Sequence, residues 1–447
     1  MLKIYGEFLM KKKINSINDF INKHLSIIIL SIIFIQPLLD LLTSLEIHVL
    51  HLGVSIGSII RLLFLFFSAY YVLFINKEKK YKYILLGIGL YIILYALVIL
   101  KYKGTNIFFY EVRNGIDAFY LPIILISFYL MFKNKAIDIK LNHIVILYLI
   151  CIGFVLFPNL THTGFMSYYH SKVGSTGWFY SANAVGNLFA FLVPFMFIYV
   201  IKSKINIILK LIVTLSTVYV FVSMGTKVPV LGFALSLLVN LIYYSILWIK
   251  SKNYKLIIAS FSIFIIGVIS MIIVLPKTSF YKNLQIHKEF LGFDHYYEVF
   301  TDYHLVDHFI FSQRLTFLKN TNNNFKKVSV TEKLLGMGYI ENYATDDATD
   351  KTIEMDYFEV FYRHGIIGCL LFYIVVIPFI YIFFKTKHEK SLLNMEFKLC
   401  MVLILLLSLF SGHVLVTPSI SIFVALIINI YINKDNYYNF KLNKREV

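Results

Sequence analysis

Cysteine is nearly absent: Cys151, Cys369 and Cys400 are the three in 447 residues. All lie in apolar runs and none forms a C-x-x-C pair, which excludes a disulfide framework or a cysteine metal site. Proline is sparse, at eight residues. No low-complexity linker or fixed-period repeat divides the chain, so no second soluble domain is expected. Familiar catalytic motifs are missing too: there is no G-x-x-x-x-G-K-[ST] loop, no H-E-x-x-H pair and no G-x-S-x-G elbow. No metal or other cofactor is expected. The first apolar run, from Leu25, follows Lys11, Lys12, Lys13 and Lys23 but lacks a small-residue cleavage site, so it is predicted to stay as an anchored helix.

Apolar residues fill the space these absences leave. They make up 59% of the chain, aromatics 17%, and the mean hydropathy is +0.74. A water-soluble protein cannot hide that much apolar surface. Twelve apolar spans are predicted, at 25–43, 55–75, 83–100, 116–133, 141–157, 184–201, 205–222, 229–249, 255–275, 364–384, 396–412 and 418–433. Each approaches the roughly 20 residues a helix needs to cross a bilayer. The fold class expected is an all-α polytopic integral membrane protein with about 12 transmembrane helices. Residues 1–275 would hold helices one to nine, 276–363 a long extracytoplasmic loop, and 364–447 the last three helices and a cytoplasmic tail, all as one membrane domain.

The net charge of +17 invites a nucleic-acid reading. The placement of the charges argues against it, because Lys and Arg sit mainly in short tracts between spans. With a cytoplasmic N-terminus, the inner connections hold 26 Lys and Arg and the short outer ones five. Both termini are therefore placed in the cytoplasm, in the inner or plasma membrane, with the long loop outside. That loop is nearly charge-balanced and aromatic-rich, as in FLGFDHYYEVFTDYHLVDHFIF at 290–311. Asp307–Lys319 has helical spacing, so short helices along the outer interface are expected. NYATDDATDK at 342–351 carries turn and helix-start residues.

Ionisable groups collect at the outer ends of the spans and, for Arg314, in the long loop. Arg113 and Asp117 lie in YEVRNGIDAFYLP, Lys227 in SMGTKVPV, Arg314 in FSQRLTFL, and His413 in FSGHVLVTPS. Glu354, Asp356, Glu359, Arg363 and His364 crowd TIEMDYFEVFYRHGIIG, at the outer end of the tenth span. Several cations on one face suit an anionic head group, since Arg grips two phosphate oxygens and Lys adds a point charge. Glu354, Asp356 and His413 are candidate general bases. Each residue also has a plain structural alternative. Arg363 can pair with Glu359 four residues back, Arg113 with Glu111 or Asp117, Asp356 can cap a helix, and Lys227 can snorkel to the interface.

GWFYSANAVGNLFAFLVP (177–194), SMGTKVPVLG (223–232), SQRLTFL with LLGMGY (312–318 and 334–339) and IEMDYFEVFYRHGIIG (353–368) form an ordered series. The series, spread over most of the chain, resembles the O-antigen polymerase/ligase superfamily, and more closely its capsular or exopolysaccharide polymerase branch. The resemblance places Asn183 at a helix start and Lys227 at a usual basic position. The ligase branch has a His-Asn pair where this chain has Glu354 and Met355, followed by Asp356. A histidine base at that point is not carried over, which favours polymerase over ligase.

The resemblance implies a polyprenyl-diphosphate-linked oligosaccharide repeat as substrate. One repeat's hydroxyl would attack the anomeric carbon of the growing chain, and polyprenyl diphosphate would leave. Arg113, Lys227, Arg314 and Arg363 would hold the diphosphate. Asp356, Glu354 or His413 would serve the acceptor hydroxyl. Trp178, Asn183 and Tyr297, with Tyr296 and Tyr303 nearby, would contact sugar. A flippase and a chain-length regulator are the implied partners. The rival readings are a ligase moving finished polymer to an acceptor, a lipid-linked oligosaccharide transporter or flippase, and a non-enzymatic assembly subunit.

Overall fold

The computed structural model describes residues 2–51, 55–134, 137, 139–168, 172–339 and 353–440. Its helices are α1 (Leu2–Ser44), α2 (Ile56–Tyr70), α3 (Lys79–Lys103), α4 (Phe108–Ala118), α5 (Tyr120–Asn134), α6 (Leu141–Thr161), α7 (Ala182–Lys202), α8 (Ile207–Ser223) and α9 (Lys227–Lys250). They continue as α10 (Tyr254–Val274), α11 (Ser279–Leu291), α12 (Tyr303–Leu305), α13 (Arg314–Lys327), α14 (Val330–Leu335), α15 (Asp356–Lys385), α16 (Leu392–Phe410), α17 (Pro418–Ile432) and α18 (Lys434–Phe440). Between α6 and α7, β1 (Phe165–Met166) pairs antiparallel with β2 (Ser175–Gly177).

Nine helices among the described residues are long and apolar enough to cross a membrane, and α8 and α17 are shorter apolar helices. With α10, they account for the twelve predicted spans. The protein is an all-α, multi-pass membrane protein. Its centre is built from α5, α7 and α17, which are buried on nearly every face. A helix apolar all round belongs in such a place, because lipid-facing helices need bury only one side. Small residues set the closest approach: a Cβ on Gly232 of α9 would lie 2.6 Å from Ala190 Cα of α7.

The predicted loop helices are present between α10 and α15, and they dock on the bundle. The segment α11 packs on α8, α13 on α15, and α14 on both α15 and α3. The helix predicted across Asp307–Lys319 is broken. A π-helical turn covers Val306–Ile310, Ser312 and Gln313 take left-handed backbones, and α13 begins at Arg314. The Asp307 carboxylate explains the restart. It accepts from the backbone N–H of Leu315 (2.9 Å) and Thr316 (3.1 Å) and from the Thr316 hydroxyl (2.6 Å), capping α13 across the break. The 342–351 stretch lies outside the described residues.

The RHGIIG sequence joins two helices: α15 is interrupted there, and its second part begins after Gly365, where the tenth span was expected. α15 already runs from Asp356, and Gly365 breaks it with φ 64°. Only glycine fits there, because a Cβ would come within 2.7 Å of the Leu334 carbonyl oxygen.

Candidate functional site

Two neighbouring hollows form where the loop helices meet the bundle. The inner one, about 470 Å³, is bounded by α7, α9, α11, α16, the β1–β2 hairpin and the Phe309–Arg314 turn. Polar lining comes from Tyr168, Lys172, Asn183, Thr226, Lys227, Asn283, His287 and Arg314. Leu231 and Leu235 of α9, one and two turns on from Lys227, and Leu403, Leu406 and Phe410 of α16 supply apolar lining. The outer hollow, about 260 Å³, shares Lys172, His287 and Ser312 with it and adds His308, Phe290 and Gln313.

Asn283 ties the cationic wall together. Its amide donates to the carbonyls of Val173 (2.5 Å) and Gly225 (2.9 Å), and its oxygen accepts from Val173 N–H (2.7 Å). One α11 side chain thus fixes the hairpin carrying Lys172 and the turn before Lys227. The approach requires glycine: a Cβ on Gly225, at φ 73°, would meet the Val173 oxygen at 2.4 Å. The Lys227 ammonium donates to the Phe309 carbonyl and lies 3.8 Å from the centre of its ring.

Arg314, 7% exposed, donates to Glu354 (2.6 Å) and to the Phe311 carbonyl (3.2 Å). Among the described residues, its buried Nε and the Thr226 hydroxyl have no protein partner. Both belong to residues lining the inner hollow, so a ligand there has unspent donors to meet. The other Glu354 oxygen lies 3.8 Å from His413 Nε2. Burial raises the Glu354 carboxyl, but His413 and Arg314 outweigh it and hold the group at about 2. Burial lowers His413, yet Glu354 outweighs it and the imidazole is raised. The result is a chain of alternating charge, Arg314–Glu354–His413.

Asp356 sits behind this chain and is fully buried. Its carboxylate accepts from the N–H groups of Val414 (3.0 Å) and Leu415 (2.7 Å), while Asn187 donates to the Gly412 carbonyl (2.7 Å). Together they clamp the turn that presents His413. Ser312, Gln313, Glu354 and His413 all have positive φ, a concentration of costly backbone in one place.

The structure brings Asn183, Lys227 and Arg314 onto the inner hollow, with Glu354 and His413 immediately behind Arg314. It does not bring the other candidates there. Arg113 donates to the Ser58 hydroxyl (2.6 Å) and lies 3.9 Å from Asp117. Arg363 donates to the carbonyls of Gly338 (3.0 Å) and Tyr339 (3.1 Å). Beside it, His364 meets Tyr339 (3.0 Å) and Tyr91 (3.3 Å), so this pair anchors the 336–339 turn. Trp178 packs between Phe154 and Phe157. Tyr297 is exposed and stacks on His295; Tyr296 and Tyr303 are exposed too.

Lys172, His287, Phe309 and Asn283 were missed. The α11 helix did carry a signal: Phe280, Asn283, Leu284 and His287 recur at helical spacing on one face, and that face lines the hollow. Burial first, then Lys172, Lys227 and His308, push the His287 imidazole down to about 3. That favours the neutral ring, in a hollow that Lys172 and Lys227 also line.

No curated protein and no solved structure matches the chain. A family model described as O-antigen ligase like membrane protein matches residues 21–293 and 301–434. Those ranges take in every span and every lining residue named above. Members are in general glycosyltransferase-like enzymes, and membership supports a role in polysaccharide assembly. The chain belongs to the family of O-antigen ligase like membrane proteins.

Proposed function

We propose that this protein polymerises polyprenyl-diphosphate-linked oligosaccharide repeats on the outer face of the cytoplasmic membrane. One observation carries the reading: the inner hollow combines Lys172, Lys227 and Arg314 with a leucine-rich lining from α9 and α16. A lipid diphosphate has that division, two phosphates on an apolar chain. The cations would bind the diphosphate and stabilise the charge that grows on it as the glycosidic bond to it breaks. Arg314 would contribute its spare Nε–H, held in place by Glu354. The wall of α9 and α16 would take the first isoprene units. Asn183 and Tyr168 line the same hollow and would contact sugar.

The test compares surface polysaccharide on a gel from cells lacking the protein, complemented with wild type or Arg314→Ala at matched membrane levels. Wild type should restore a full ladder. Arg314→Ala should leave single lipid-linked repeats outside, with turnover reduced about 100-fold or more, the usual effect of removing one preorganised donor. A full ladder without the protein would remove polymerisation. If that polymer also stayed on its lipid carrier, transfer of finished polymer to an acceptor would take its place. Repeats trapped inside the cell would indicate transport.

A further inference from the structure

We propose that His287 is the general base for the acceptor hydroxyl, and that it becomes competent only when a diphosphate occupies the hollow beside it. The inference rests on the transferase reading above and adds a residue to it.

The position of the imidazole comes first. His287 lines both the inner and the outer hollow, at their junction with Lys172 and Ser312. A diphosphate in the inner hollow and a sugar arriving through the outer one meet there. The ring packs on Phe309, with centroids 5.3 Å apart and planes at 33°, and Lys227 lies over that same ring. One phenyl group therefore fixes a cation and a base relative to each other.

Glu354, Asp356 and His413 are each committed to contacts away from the hollow's wall. Glu354 is held by Arg314 and faces His413. Asp356 is held by two backbone N–H groups. His287 is a neutral imidazole on the wall itself.

Its weakness as a base in the empty protein comes first from burial, to which nearby charge adds. Lys172 comes from the hairpin, Lys227 from α9 and His308 from the π-helical turn, and all three disfavour the imidazolium, while Arg314 lines the same hollow. A bound diphosphate brings negative charge between those lysines. That charge offsets the lysines' share of the penalty, so the imidazole accepts a proton more readily than in the empty site. The substrate that needs a base would create one, and an empty site would be a poor activator of water.

The step balances without redox change. A lone pair on the acceptor oxygen forms the bond to the anomeric carbon. The bond from that carbon to the diphosphate oxygen breaks, and its electron pair leaves with polyprenyl diphosphate. The acceptor's proton passes to a ring nitrogen of His287 and then to water in the outer hollow.

The experiment uses full-length protein in nanodiscs, with the lipid-linked repeat extracted from cells lacking the protein as donor and acceptor. His287→Gln should lower kcat by 10²- to 10⁴-fold, the usual range for a lost general base, with KM changed less than about threefold. In wild type, the acid limb of kcat, which reports the substrate-bound protein, should lie at higher pH than the acid limb of kcat/KM. The wild-type profiles need no variant to fold. Full activity in His287→Gln, or coincident wild-type limbs, would overturn the assignment and leave the transferase reading standing. No glycosidic product from wild type would overturn both.

Discussion

Two carboxylates two residues apart carry different tasks. Asp356 Oδ2 holds two backbone amides, and an asparagine oxygen can accept the same bonds. Asp356→Asn should therefore keep most polymer synthesis. Asp356→Ala should unfold at lower temperature, since two buried N–H groups lose their acceptor at about 1–3 kcal/mol each. A true base at this position would fail in both variants, so the pair of gels and melting curves distinguishes the roles. Glu354 and His413 predict a pH dependence of opposite sign at each end. The folded Glu354 carboxyl is depressed, so its contribution is complete above about 4.5 and fades as pH falls toward 2. The folded His413 is raised, so its contribution is complete below 6.5 and fades as pH rises beyond it. The melting-temperature difference between wild type and Glu354→Gln, measured in detergent from pH 3 to 9, should peak between those values.

At the scale of elements, the β1–β2 hairpin, α11 and the start of α9 act as one assembly because Asn283 bonds all three. Asn283→Ala should loosen Lys172 and Lys227 together, and raise the donor KM more than it lowers kcat. The spans were legible in the sequence because a bilayer imposes a length and an apolar composition on any helix that crosses it. Lys227 was legible as a charge between two spans and Arg314 as a cation of the outer loop, each costly enough beside a bilayer to suggest a use. The break at Ser312–Gln313 was not, because local spacing continues through it and the cap that restarts α13 comes from Asp307, on the other side. Arg363 and His364 stood out in the sequence as charges, yet they serve a turn that only the tertiary fold brings near. The His287 face of α11 was readable as helical periodicity, but nothing local says what that face meets.

For the whole molecule, the proposed chemistry fixes an orientation that labelling can check. A single cysteine at Lys172 or His308, in a background with Cys151, Cys369 and Cys400 replaced, should react with an impermeant maleimide on intact cells. One at Lys79 or Lys390 should react only after permeabilisation. The opposite pattern would remove the extracellular reading. The left-handed residues around Arg314 bear on how such a protein can drift. Ser312, Gln313, Glu354 and His413 lie in three separate stretches of chain, and each adopts a backbone that glycine and asparagine enter easily and β-branched residues resist. Mutational tolerance at these four sites should therefore follow shape as well as charge. In a saturation library, Ser312 and Gln313 should accept glycine or asparagine while rejecting valine and isoleucine, even though neither carries a charge that the chemistry uses.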